Sequence, residues 1–355
     1  MINNGIERIN RFFIFLETRS NLIITSFVIG FIFLGLDMLY VTPKFEAAYH
    51  GLQYSILSNN PFDFSYVNPL RYRILPSLIG YLIFLRGNMF FIVPLIFALL
   101  FISSVYWIYR RKKYSPLDAI LFTGLIAFSC TLYIQLVAPG YTDSVFYFFL
   151  FLSFAFVKDI IWCGVFFALA MLTHESSIFL LPGLLLYSGY IHNGNKSATL
   201  KQFFMLLIAI IPLLIYRYWV SKQITVEYDL NFYFSKKNIL FSLKKAIPLM
   251  PAGAFYAFKL FWLFPIYTLC KTWKKREFKF FTIIIVIIIF DFIQLIIAFD
   301  ITRMLCLGFP AILLSAEKIK EEWQSEKFTH FVLGLTILNF FIFQYFMSSD
   351  GLIPM

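Results

Sequence analysis

The densest group of chemically capable residues lies between positions 37 and 73. It holds three carboxylates, one histidine and two arginines: Asp37, Glu46, Asp63, His50, Arg71 and Arg73. A positioned carboxylate can act as a general base on a hydroxyl group, and paired arginines can bind a phosphate through parallel hydrogen bonds. The same composition also suits an ordinary polar loop whose arginines extend their charged ends to a lipid interface.

Three further polar sites interrupt apolar stretches. Asp143 opens an apolar run, where a carboxylate can cap a helix or belong to a site. His174 and Glu175 stand between two apolar segments, where ionisable groups are costly and usually functional. Asp300 and Arg303 can form a local ion pair, or Arg303 can bind a ligand phosphate.

Composition indicates the elements that must position these residues. Of 355 residues, 60% are hydrophobic and 14% are charged, whereas soluble domains carry roughly 45–50% apolar and about 25% charged residues. The sequence therefore predicts a membrane protein. Its formal net charge of +11 is spread over short clusters between apolar runs, which fits the loops of one membrane face and excludes nucleic acid as an expected partner.

A membrane-crossing helix needs about 20 mostly apolar residues. The clearest windows are 21–40, 88–109, 117–137, 203–219, 280–298 and 328–347, and weaker ones are 74–85, 144–157, 160–172, 176–190, 250–270 and 304–316. We expect an all-α, polytopic transmembrane helical bundle of about 10–11 spans. The whole chain, residues 1–355, would form a single transmembrane domain.

Basic clusters predict the orientation. They precede the first window or follow later ones, at Arg8, Arg11 and Arg19, at 110–113, at Lys196 and Lys201, at 271–279 and at 317–327. Because positive loops stay in the cytoplasm, the N-terminus would be cytoplasmic and the loops 41–73 and 220–249 extracytoplasmic, the first with short interfacial helices. Segment 74–85 would then be re-entrant or interfacial. In the alternative topology it is a full span, 160–187 is one span, and the cluster at 110–113 is exported.

Several motifs are missing from the sequence. It has no GxxxxGK[ST] loop, no GxGxxG after a strand, no HExxH and no Cys/His set with metal-ligand spacing. We therefore assign no metal-ligating residues. Direct use of a nucleotide is not expected, and a substrate reached from the membrane plane is favoured.

Four stretches carry a family resemblance: EAAY at 46–49, RYRILP at 71–76, LTHESSIFLLP at 172–182 and DITRMLCLGFP at 300–310. In this order along the chain they resemble the GT-C superfamily of membrane glycosyltransferases, which take a sugar from a polyprenyl-phosphate carrier. The resemblance gives Glu46, followed three residues later by Tyr49, the place of the presumed catalytic base. Two departures are His174, where the family usually has Lys or Arg, and the single Glu46, where an acidic pair is common.

The resemblance implies an inverting transfer of sugar to a cell-envelope glycan or lipid acceptor in the bacterial inner (plasma) membrane. Glu46, or else Asp37 or Asp63, would deprotonate the acceptor hydroxyl. The implied substrate-binding residues are Tyr49, His50, Arg71, Arg73, Asp143, His174, Glu175 and Arg303. A divalent cation, Mg²⁺ or Mn²⁺, is a possible cofactor with Asp143 as a possible ligand.

Two other functions fit the same composition. A polymerase of O-antigen or exopolysaccharide repeat units is also polytopic and uses lipid-linked substrates, but relies on arginine-rich outer loops. A transporter or flippase of lipid-linked sugar would place ionisable residues near the middle of the membrane, for which Asp291 is the candidate.

Overall fold

The structure of the chain is a computed structural model that describes residues 2–41, 43–47, 50–64, 69–223, 235–296, 300–348 and 351–355. Its helices, in chain order, are α1 Ile2–Ser20, α2 Leu22–Tyr40, α3 His50–Asn59, α4 Ile74–Leu82, α5 Ile92–Arg111, α6 Pro116–Ala127, α7 Cys130–Val137, α8 Asp143–Ala155, α9 Ile160–Thr173, α10 Leu181–Ile191, α11 Lys196–Gln223, α12 Lys236–Phe258, α13 Leu263–Lys274, α14 Phe278–Ile293, α15 Ile301–Leu305, α16 Phe309–Glu322 and α17 Ser325–Phe341. Short 3₁₀ turns connect several of them.

Five helical stretches among the described residues are long and apolar enough to cross a membrane. They are Leu22–Tyr40, Gly87–Arg111, Lys196–Gln223, Ile247–Lys274 and Phe278–Ile296, and the bent pair α6–α7 makes up to six. The predicted helical bundle of membrane type is confirmed at this level. Other predicted windows form shorter helices, such as α8 with 13 residues and α9 with 14, so the count of ten or eleven stays a prediction.

The predicted window 117–137 is divided in two by a bend of 54° between α6 and α7. Carbonyls freed at such a break need partners, because lipid supplies none. The hydroxyls of Ser129 and Thr131 donate to the Ile126 carbonyl at 2.7 and 2.9 Å, and the Asn339 amide donates to Phe128 at 3.4 Å. Side chains therefore replace the helical hydrogen bonds that the bend removes.

Helix α4 is too short to cross a bilayer by itself. Its 9 residues span about 14 Å at 1.5 Å per residue, against a hydrocarbon core of roughly 30 Å. A Cβ on Gly80 would come within 2.9 Å of the Leu85 carbonyl and 2.8 Å of the Phe90 ring, so the chain folds back tightly after α4. The arrangement of segment 74–85 in the membrane stays a prediction.

Asp37 lies inside α2, which continues to Tyr40 as the window 21–40 predicts. Two other boundaries differ from the sequence predictions. The loop predicted over 220–249 is helical at both ends, since α11 runs to Gln223 and α12 begins at Lys236, and residues 224–234 lie outside the described residues. The last window, 328–347, ends its helix at Phe341, and an antiparallel hairpin follows, with β1 Tyr345–Ser348 paired to β2 Gly351–Pro354.

Candidate functional site

Arg303 is held between two carboxylates at the start of α15. Its Nη1 lies 3.0 Å from Asp300 Oδ2 and its Nε lies 3.7 Å from Asp143 Oδ1. The guanidinium also lies over the ring of Tyr141, 4.8 Å from the centroid. These contacts bring the start of α15 against the start of α8, although 160 residues separate Asp143 from Arg303 in the chain.

A second ion pair joins the residue before α4 to the bend after α9. Arg73 donates from Nε and Nη2 to the two oxygens of Glu175, each at 2.9 Å. Arg217, on α11, approaches the same carboxylate at 3.8 Å and lies 5.0 Å from the ring centroid of Tyr72. A bidentate Arg–carboxylate pair fixes the orientation of the guanidinium and also stabilises its charge. Glu175 therefore holds both Arg73 and Arg217 beside its carboxylate.

Two glycines allow the first loop to approach the turn that precedes α8. A Cβ on Gly51 would lie 2.2 Å from the Pro139 carbonyl, and one on Gly140, whose φ is +88°, would lie 2.7 Å from the Gly51 Cα. Only residues without a Cβ permit this approach of two backbones. As a result the His50 ring packs edge-on against Tyr141, with centroids 5.5 Å apart.

His174 is buried at the junction of α9 and the 3₁₀ turn Glu175–Leu180. Its Nδ1 accepts the backbone N–H of Ser176 at 3.2 Å, and its ring stacks on Phe146 at 5.5 Å. Nδ1 is therefore the unprotonated nitrogen in this geometry. Burial, followed by the nearby charge of Arg73, lowers the pKa of His174 well below its usual value, which keeps the ring neutral at pH 7.

The charges of both Arg303 and Arg73 act on the pKa of His50 and on that of His174, so the two ion-pair groups lie near each other. Burial and the charge of Arg303 lower the pKa of His50, while Asp300 opposes them. Burial raises the pKa of Tyr141 to about 12, against the opposing charge of Arg303. Burial alone would raise the pKa of Glu175, but the charges of Arg73 and other neighbours lower it below its usual range. We call this set the ionic cluster: His50, Arg73, Asp143, His174, Glu175, Arg217, Asp300 and Arg303.

The other candidates lie elsewhere. Glu46 is exposed, and among the interactions of the described residues it has no hydrogen bond or ion pair. It lies four positions before His50, so their Cα atoms are within about 14 Å. Asp37 is buried in α2 near Lys259. Asp63 is exposed and Arg71 is buried under Phe64, at 5.4 Å from its centroid. Tyr49 lies outside the described residues.

Sequence reasoning missed Arg217. It follows a long apolar run in α11 and precedes Tyr-Trp, a pattern typical of a residue that anchors a helix end at the lipid interface. A role at the lipid interface does not predict an ion pair between Arg217 and Glu175, which lies 42 positions earlier in the chain. No sequence signal connects Arg217 to Glu175; only the packing of α11 against α9 does.

No group of three or more His, Cys, Asp or Glu side chains within the described ranges could hold a metal ion. Asp143 is therefore not joined by a second and third ligand of these types in that part of the chain. Comparisons with protein-family models, curated proteins and solved structures find no match to this chain.

Proposed function

We propose that the protein is a membrane glycosyltransferase that moves a sugar from a polyprenyl-phosphate carrier to a cell-envelope glycan or lipid acceptor. The ionic cluster would bind the carrier phosphate. Glu46 would act as the base on the acceptor hydroxyl.

The observation that supports this most is the position of Arg303 between two carboxylates. It is 7% exposed, and its Nη1 and Nε lie 3.0 Å from Asp300 and 3.7 Å from Asp143. Neither contact has the geometry of a hydrogen bond, so these N–H groups keep hydrogen-bonding capacity for another acceptor. Such donors, held in place by Asp143 and Asp300, are suited to the oxygens of an anionic ligand, because two N–H groups of one guanidinium can bind a phosphate together.

Arg73 and Arg217 supply further positive charge beside Arg303. Both are oriented by Glu175, and the Nε of Arg217 is also buried with no hydrogen bond to another described residue. Charge on the oxygens of the departing phosphate increases as the bond to the sugar breaks. Preorganised cations near those oxygens stabilise this transition state more than the ground state.

Glu46 suits the role of base because it makes no ion pair with any residue that the structure describes. Asp143 and Asp300 are instead held in ion pairs with Arg303. Glu175 is paired with Arg73, whose charge outweighs burial, lowers the pKa of Glu175 and makes it a weaker proton acceptor. In the reaction, Glu46 takes the proton of the acceptor hydroxyl while that oxygen attacks the sugar C1. The bond between C1 and the carrier phosphate breaks, the phosphate leaves with the electron pair, and the configuration at C1 inverts.

The test is sugar transfer in proteoliposomes with a panel of polyprenyl-phosphate sugars. Parent protein is compared with Glu46→Gln and with Glu326→Gln, a control carboxylate that is also exposed but lies at the start of α17. We expect transfer from at least one donor, lost in Glu46→Gln and kept in Glu326→Gln. Equal transfer by both variants would remove Glu46 as the base, and no consumption of any donor would contradict the proposed reaction.

A further inference from the structure

Helix α1 presents large apolar side chains outside the bundle. Ile9, Phe12 and Phe15 are 43%, 56% and 54% exposed. Ile9 and Phe12 are three residues apart, so they lie on the same face of the helix. Aromatic and aliphatic side chains exposed next to one another on a helix indicate a surface that is covered by something other than water.

The opposite side of α1 is attached to the bundle by polar contacts. Asn10 Oδ1 accepts the backbone N–H of Leu117 at 3.0 Å, and Glu17 accepts from Tyr106 Oη at 2.7 Å and from Arg110 Nε at 2.6 Å. These bonds fix the rotation of α1 about its own axis. Phe12 is therefore held on the outer side of the bundle.

Exposed arginines adjoin the apolar side chains. Arg8, Arg11 and Arg19 are all exposed, and their spacings of three and eight residues place them on one side of the helix at about 100° per residue. Arg11 pairs with Glu7 at 3.0 Å, and Arg19 lies 5.3 Å from the ring centroid of Phe15. Arginine with an aromatic neighbour is a common composition of helices at a lipid interface.

The position of α1 along the bundle is set by its junction with α2. Asn21 separates the two helices, with φ of 78°, and α2 is a candidate membrane span. The contacts with Leu117 and Arg110 place α1 beside the start of α6 and the end of α5. A helix attached at the ends of spanning helices lies at the depth of the lipid headgroups.

We propose that α1 is a binding surface for anionic phospholipid. Phe12 and Ile9 insert between the lipid chains near the headgroups, while Arg8, Arg11 and Arg19 contact lipid phosphates. Positive charge on exposed arginines favours an anionic bilayer over a neutral one. This inference does not rest on the proposed enzymatic function, since it uses only α1 and its contacts.

The test is hydrogen–deuterium exchange of the backbone amides of residues 2–20 in the full-length protein. The protein is placed in nanodiscs of phosphatidylcholine alone or with added phosphatidylglycerol. We expect exchange to be about tenfold slower with the anionic lipid. In the triple variant Arg8→Gln, Arg11→Gln and Arg19→Gln this difference should be lost.

The matched control is Lys222→Gln, Lys236→Gln and Lys237→Gln, which removes three exposed cations from other helices. It should keep the full difference between the two lipids. Equal exchange rates of the parent in both nanodiscs would overturn the proposal. It would also be overturned by slow exchange that persists in detergent without lipid, because α1 would then be held by the protein alone.

Discussion

Arg73 and Glu175 are joined by two hydrogen bonds of 2.9 Å each, across 102 positions of the sequence. The pair connects the first loop region to the bend between α9 and α10. Its side chains are 18% and 36% exposed, so the pair is neither fully buried nor free in solvent. The pair brings two segments together, and nothing in the sequence indicates that they lie close to each other.

Glu175→Gln should destabilise the protein because it leaves Arg73 and Arg217 without a charged acceptor. We expect a loss of about 1 kcal/mol in the free energy of unfolding, below the roughly 1.5–3 kcal/mol of a fully buried charged hydrogen bond because Glu175 is partly solvated. Thermal unfolding in detergent measures it as a lower Tm. Glu7→Gln, which removes the exposed pair with Arg11, is the control and should change Tm little. Equal Tm shifts in the two variants would contradict the structural role of Glu175.

The depressed pKa of His174 predicts a pH dependence of stability. Because its folded-state pKa lies well below the ordinary value of 6.5, the unfolded chain binds the proton first as pH falls below about 6.5. Stability should therefore be constant above that pH and decrease below it. His174→Gln should flatten this decrease, whereas His192→Gln, at the end of α10, should leave it steep. A parent protein whose Tm is unchanged between pH 7 and pH 5 would be inconsistent with a buried neutral His174.

Gly51→Ala should separate the first loop from the turn before α8. The new Cβ would lie 2.2 Å from the Pro139 carbonyl. The two backbone segments would have to move apart, and this would also move His50 away from Tyr141. We expect a stability loss of about 1–3 kcal/mol together with loss of donor binding. Gly35→Ala provides the control, because a Cβ there meets nothing within 4 Å. A Gly51→Ala protein as stable as Gly35→Ala would show that the two backbones are not in contact.

Asn339 should be needed for the stability of two helix breaks. Its Oδ1 accepts the N–H of Leu260 at 2.9 Å, and its Nδ2 donates to the carbonyls of Phe258 at 3.1 Å and Phe128 at 3.4 Å. Asn339→Leu removes these partners inside the bundle, at about 1–3 kcal/mol for each group left unsatisfied. Chemical unfolding in mixed micelles should show the loss, and the exposed Gln223→Leu should not. Wild-type stability in Asn339→Leu would mean that other groups form the hydrogen bonds to the backbone at both helix breaks.

Much of the fold follows from the sequence because span length is a strong constraint. The apolar windows beginning at 21, 88, 203 and 280 each correspond to a long helix. The break between α6 and α7 could not be predicted, because the residues there, Phe128 and Ser129, include neither Pro nor Gly. Asp37 falls within the predicted window 21–40, but its burial near Lys259 could not be predicted, because it depends on how α2 packs.

The sequence pointed to seven members of the ionic cluster one at a time: His50, Arg73, Asp143, His174, Glu175, Asp300 and Arg303. What it could not give is their proximity, since contacts between residues 73 and 175, or 143 and 303, depend on how helices pack. Glu46, by contrast, was singled out by its spacing from Tyr49, and it makes no hydrogen bond or ion pair with the cluster among the described residues.

In the proposed reaction the ionic cluster binds the carrier phosphate while Glu46 acts as the base. Donor binding and sugar transfer in Glu46→Gln and Arg303→Gln, measured with the polyprenyl-phosphate sugar that the parent consumes, separate these two roles. We expect Glu46→Gln to bind donor as the parent does and to transfer no sugar. Arg303→Gln should lose at least tenfold in donor affinity, about 1.4 kcal/mol, and unchanged donor affinity in this variant would contradict the proposed phosphate site.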